Sequence, residues 1–106
     1  MKIMLVGDIV GGPGRTVFAR TVAAFKARGQ ADFVVANAEN AAGGKGLTRP
    51  LADELFAAGA DVLTLGDHAW DQKDLVSGIN NEPRIIRPAN FAPGNAITVG
   101  ASFNPL

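Results

Sequence analysis

The chain contains no cysteine. Disulfides, thiolate zinc sites and cysteine nucleophiles are therefore excluded, and the composition suits the reducing cytoplasm. Histidine occurs once, as His68, and tryptophan once, as Trp70. Neither sign of charge is in excess, since ten Lys+Arg balance ten Asp+Glu. Such a balance argues against holding nucleic acid or an anionic membrane by bulk charge, although a small phosphate-bearing substrate needs only local charge. No apolar run is long enough to span a bilayer, and no charged leader precedes an apolar segment. Neither a membrane anchor nor a secretory signal is expected. Internal repeats, linkers and low-complexity tracts are absent as well.

What remains is an apolar fraction of 47% in 106 residues, ample for the core of one small domain. Three short apolar runs stand out. Ile3 to Gly7 ends on Asp8, Phe33 to Asn37 runs into Glu39 and Asn40, and Val62 to Gly66 ends on Asp67 and His68. Short apolar runs flanked by glycine read as buried strands. Between them, residues 13–28 carry Val17, Phe18, Thr21, Val22 and Phe25 at helical spacing, with Pro13 in the first turn and Gly29 as the stop. Thr48 reads as the N-cap of a second helix with Leu51, Leu55 and Phe56 as its buried stripe, closed by Gly59. A short helix is expected near residues 71–79, with Asp71 as its cap. Residues 82–94 read as irregular with a short strand at Ile85-Ile86, and a last short strand is expected at Ala96 to Val99. Strands alternating with helices predict an α/β fold with a mainly parallel sheet and flanking helices. Three or four strands and about three helices make a thin structure, so the chain reads as one partial domain, the first half of something larger.

In open parallel sheets, ligands bind beyond the carboxyl ends of the strands. The three runs therefore bring Asp8, Glu39, Asn40, Asp67 and His68 to one edge. These are oxygen and nitrogen donors suited to divalent metals. Each motif has two readings. Asp8 is either a metal ligand beside a helix N-terminus, with Arg15 reaching a phosphate, or a cap for the following turn. Glu39-Asn40, in a glycine-rich loop ahead of Lys45, is either a ligand-binding segment or a surface turn held by asparagine side chains. His68 is either a general acid or ligand, or a structural histidine. Trp70 reads as packing, and Asp71 and Asp74 as cap and solvated face. Arg84, Arg87 and Asn90 carry little signal. The glycines of Gly12-x-Gly14 do not complete a dinucleotide fingerprint, and no P-loop is present. Together the three strand ends favour a metal-assisted phosphoryl or acyl hydrolase.

Four ordered motifs go further. Gly7-Asp8-Ile9-Val10-Gly11 with Pro13-Gly14-Arg15, Asn37 through Thr48, Leu65 through Asp71, and Arg87-Pro88-Ala89-Asn90-Phe91 closely resemble the YmdB-like metallophosphoesterases of the calcineurin-like superfamily. The resemblance runs from Met1 to about Gly94. It implies the N-terminal half of a calcineurin-like α/β sandwich. It also implies a two-metal phosphoesterase of iron or manganese type, acting on phosphodiesters that include 2′,3′-cyclic nucleotides. By that resemblance Asp8 holds one metal, Glu39 bridges both, Asn40 assists the first and Asp67 holds the second. His68 protonates the leaving oxygen or stabilises the transition state, and Arg15 and Lys45 are weaker candidates for phosphate binding. The metal pair would clamp the phosphate and activate water for attack.

The chain departs from the family at two points. Asp67 stands where the family usually has Asn, and the family draws further histidines from the second half of a longer chain. With one histidine, these 106 residues alone are expected to bind metal weakly and to turn over little substrate. A truncated, non-catalytic binding or dimerisation module is the alternative, with homo-oligomers closing an open sheet edge. A nucleotide-binding domain using the Gly11–Gly14 turn ranks behind it, because the glycine spacing is wrong.

Overall fold

The computed structural model describes residues 1–44, 46–66 and 82–86. Along the chain run β1 (Ile3–Val6), α1 (Gly11–Ala27), β2 (Phe33–Asn37), α2 (Arg49–Ala57), β3 (Val62–Thr64) and β4 (Ile85–Ile86). The strands form one sheet in the order β1-β2-β3-β4, with every neighbouring pair parallel. This is the α/β fold that the alternating sequence pattern predicts, down to the strand at Ile85-Ile86. The expected helix at 71–79 and strand at 96–99 lie outside the described residues. Among the described residues, no helix is long and apolar enough to cross a membrane.

Register assigns the faces. Successive strand residues point to opposite sides, and Val6, Ala36, Leu63 and Ile85 form one row across all four strands. That row packs with Phe18 and Val22 of α1 and Ala52 and Leu55 of α2. Both helices therefore cover the same face, as crossovers of one hand between successive neighbours require. Leu55, Leu63 and Ile85 are almost wholly removed from solvent, each contributing about 1.5–3 kcal/mol of hydrophobic stabilisation. On the opposite face Ile3 is 60% and Leu5 78% exposed while Val62, in the same row as Leu5, is 3% exposed, so the two-sided cover usual for parallel sheets is incomplete at β1.

α1 differs from its sequence pattern in two ways. It begins at Gly11, before Pro13, and its N-cap is Val10, which makes no side-chain cap bond. Asp8 is thus not the helix cap. Val17, expected on the buried stripe, is 63% exposed, whereas Phe18 and Val22 are buried. Adjacent helical residues point about 100° apart, so a stripe centred on Phe18 and Val22 leaves Val17 on its flank. There it lines an open apolar groove with Met4, Val6 and Pro13 that runs along β1 to Asp8.

α2 starts as its sequence indicates. The Thr48 hydroxyl accepts a bond from the Leu51 N–H at 3.3 Å, and a proline occupies the first turn. Thr48→Ala is expected to cost about 1 kcal/mol, read as a lowered urea midpoint at unchanged slope. A variant indistinguishable from the parent would show that the cap is dispensable.

One charged cluster ties α2 to β4. The Glu82 carboxylate, only 7% exposed, accepts from Arg49 Nη2 at 3.0 Å. Arg84 donates to it through Nε and Nη2, both at 2.9 Å, and through its backbone N–H at 3.2 Å. The same Arg84 guanidinium lies 3.8 Å from the centre of the Phe56 ring. These bonds hold the Glu82 carboxyl down at about 2, against an ordinary value of 4.5, with the Arg84 side chain the largest influence and burial opposing it. Arg84 is raised in return, chiefly by the same bond.

Candidate active site at the carboxyl edge of the sheet

Two of the three strand-end clusters meet at the carboxyl edge of the sheet. β1 releases the chain through Gly7 to Asp8, and β2 through Ala38 to Glu39 and Asn40. The connection is stitched down by backbone bonds. The Ala38 N–H donates to the Thr64 carbonyl at 2.9 Å, continuing the sheet one residue past β2. On the other side, Ile9 N–H donates to the Asn37 carbonyl at 3.1 Å and Gly11 N–H to the Asn40 carbonyl at 3.2 Å. The loop then turns back through Gly43 and Gly44, at φ of 64° and 91°. Two consecutive left-handed residues explain why glycine is required there.

Within this frame the Asn40 side chain meets Asp8, 32 residues away. Its Nδ2 donates to both carboxylate oxygens, at 2.8 and 3.0 Å. Asp8 is exposed at the surface while Asn40 is half-buried. The bond is charge-assisted and fixes the carboxylate's orientation. Of the two readings of Asp8, the helix cap falls: the oxygens accept from a neighbouring strand-end residue, and the helix starts on Val10 without them. Glu39 points the other way along the edge, and its carboxylate lies against Gly66 at the end of β3.

Arg15 binds neighbours within the protein. Its Nη1 donates to the Ala41 carbonyl at 2.7 Å and its Nε to Glu54 Oε2 at 2.9 Å, with the side chain 22% exposed. It thereby braces the 38–44 loop against α1 and α2, a role invisible in the sequence, because nothing local in the motif pairs position 15 with 41 and 54. Lys45, Asp67 and His68 lie outside the described residues, as do Trp70, Asp71, Asp74, Arg87 and Asn90.

Asn37 opens the second sequence motif without a role of its own there, and it too stands at this edge. Its Oδ1 is buried without a hydrogen-bond partner, a costly condition of about 1–3 kcal/mol for a neutral group. Its place at the end of an apolar strand, in a run with two other polar donors, was the available signal. The donors at this edge are thus carboxylate and amide oxygens, which match the hard-cation preference for oxygen ligands. The residues present fit a metal of that type in donor chemistry. Among the described residues, no three His, Cys, Asp or Glu side chains converge closely enough to hold one by themselves.

Comparison with known proteins supports this fold. Over 101 residues the chain is 43% identical to a 2′,3′-cyclic-nucleotide 2′-phosphodiesterase from Bacillus subtilis (strain 168), covering 92% of this chain and 38% of that one. A solved structure of a novel phosphatase from Mycoplasma pneumoniae superposes with a TM-score of 0.81 at 36% identity, over 87% of this chain and 33% of that chain. A structure described as a hypothetical protein from Thermus thermophilus gives a TM-score of 0.80 at 38% identity, over 89% and 36%. The chain therefore spans well under half the length of these relatives. A family model described as YmdB-like protein matches residues 4–104. With nearly its whole length inside that match, the chain belongs to the YmdB-like family.

Proposed function

We propose that this chain supplies one part of a metal-dependent phosphodiester hydrolase, within a domain larger than 106 residues. The observation that carries the reading is the placement of Asp8, Glu39 and Asn40 along one sheet edge, with Asn40 bonded to Asp8 and Glu39 against Gly66, in a chain 43% identical to a cyclic-nucleotide phosphodiesterase. Asp8 and Glu39 would hold the metals, with Asp67 as a further ligand. Asn40 orients Asp8 and would assist the metal that Asp8 holds. His68 delivers a proton to the leaving oxygen of the substrate. Arg15 serves the site by bracing the loop, and Lys45 adds local positive charge for the phosphate. Iron- or manganese-type ions bound here would supply Lewis-acid charge against the phosphate oxygens and lower the pKa of water. The substrate class is a small phosphodiester such as a 2′,3′-cyclic nucleotide, and the location is cytoplasmic.

The test compares the 106-residue chain with the same chain completed by the part of the Bacillus relative that lies beyond the match. Hydrolysis of 2′,3′-cyclic AMP is followed with added manganese. The completed protein should turn over substrate and stop when a chelator is added, while the chain alone stays near background. A folded, metal-loaded but inactive completed protein would overturn the assignment.

The second reading is a non-catalytic module that pairs with its own copies, favoured by the exposure of Ile3 and Leu5 at the β1 end of the sheet face opposite the helices. Sizing chromatography decides it, since a monomer at tens of micromolar would exclude self-pairing at that strength.

A further inference from the structure

We propose that Gly66 is the seat of the Glu39 carboxylate, and that the missing side chain at position 66 sets this carboxylate across the end of β3. A Cβ placed on Gly66 would stand 2.8 Å from Glu39 Cδ and 2.9 Å from its Oε1. Such distances are closer than carbon atoms tolerate, so glycine and carboxylate share one space. Backbone conformation does not account for the glycine. Gly11, Gly29, Gly43, Gly44, Gly46 and Gly59 all adopt positive φ, and Gly66 is not among them. Space is therefore the requirement at 66, whereas a positive φ is already a reason for glycine at the other six.

The loop cannot retreat to make room. Ala38, immediately before Glu39, is bonded to Thr64, and Asn40, immediately after it, accepts from Gly11. Leu65, immediately before Gly66, donates to the Ile86 carbonyl at 3.0 Å. With both backbones pinned, a methyl group at 66 is accommodated by moving the Glu39 side chain, which has three rotatable bonds. The structural cost is small and the positional effect is large. Consecutive residues thus serve opposite sides of the edge: Asn40 clamps Asp8 beside β1, and Glu39 rests on Gly66 beside β3. Gly66 is accordingly a positioning residue, acting on metal through Glu39. That consequence rests on the proposed function, whereas the seat itself does not.

The experiment uses Gly66→Ala in the 106-residue chain and in the completed protein. In the parent chain, nuclear Overhauser contacts should join the Gly66 α-protons to the Glu39 γ-protons. In Gly66→Ala the thermal midpoint should stay close to that of the parent, while the Glu39 side-chain signals move. Manganese affinity of the completed protein, read by electron paramagnetic resonance, should fall about tenfold or more. The loss should match that of Glu39→Gln, and the double variant should be no worse than either single one. Unchanged affinity, or losses that multiply in the double variant, would overturn the proposal. If the parent binds no manganese, the hydrolase reading falls, and the seat stands or falls on the Gly66–Glu39 contact. The same contact decides the matter if the alanine variant fails to fold.

Discussion

Asp8→Asn is expected to lower metal-dependent phosphodiester hydrolysis by the completed protein on the order of a thousandfold, about 4 kcal/mol of transition-state stabilisation. The exchange keeps the shape of the side chain and removes its charge. Two consequences follow at the edge of the sheet. A neutral amide is a much weaker partner for a hard cation than a carboxylate. In addition, Asn40 Nδ2, which now donates to both Asp8 oxygens at 2.8 and 3.0 Å, would face an amide offering one acceptor. Its own orientation would loosen as a result. Stability should barely change, because Asp8 is exposed and surface substitutions usually fall within about 0.5 kcal/mol. A variant that keeps the parent's kcat at saturating manganese would remove Asp8 from the metal set. One that loses activity only by unfolding, visible in its melting curve, would move the residue from chemistry to structure.

Glu82→Gln is expected to cost about 3 kcal/mol of stability at pH 7 and to flatten the acid limb of the stability curve. The sign follows from the direction of the shift. The Glu82 carboxyl is lowered from 4.5 to about 2 in the folded protein, so the folded state favours its charged form. Its contribution is fully present above pH 4.5 and is lost as pH falls from there through about 2. The displacement corresponds to about 3 kcal/mol by linkage. Solvent screens the Glu82 side little, at 7% exposure, and the Arg49 and Arg84 sides more, at 41% and 47%. Glutamine retains an acceptor for one guanidinium but turns an N–H₂ toward another donor in a buried position. Urea titrations of parent and variant between pH 7 and pH 2 should converge as the pH drops. Parallel curves across that range would show that the carboxylate's charge does not stabilise the α2–β4 junction.

Much of this molecule was legible before any fold was in view. Gly29 and Gly59 marked helix ends correctly, Thr48 capped α2, and Ile85-Ile86 formed its strand, because these signals are local. The sequence alone determined that apolar runs would form a parallel sheet and that Asp8, Glu39 and Asn40 would stand at strand ends. Period and punctuation in the chain suffice for that. Only the tertiary structure decided which groups touch. Register placed Asn40 against Asp8, brought Glu39 onto Gly66, turned Arg15 toward Ala41 and Glu54, gathered Arg49 and Arg84 around Glu82, and left Val17 outside the core. The physical reason is that each of these contacts, apart from the short one between Arg84 and Glu82, joins segments far apart in the chain or depends on which helix face the sheet covers. Strand pairing and crossover packing settle both, and neither is written in any single motif.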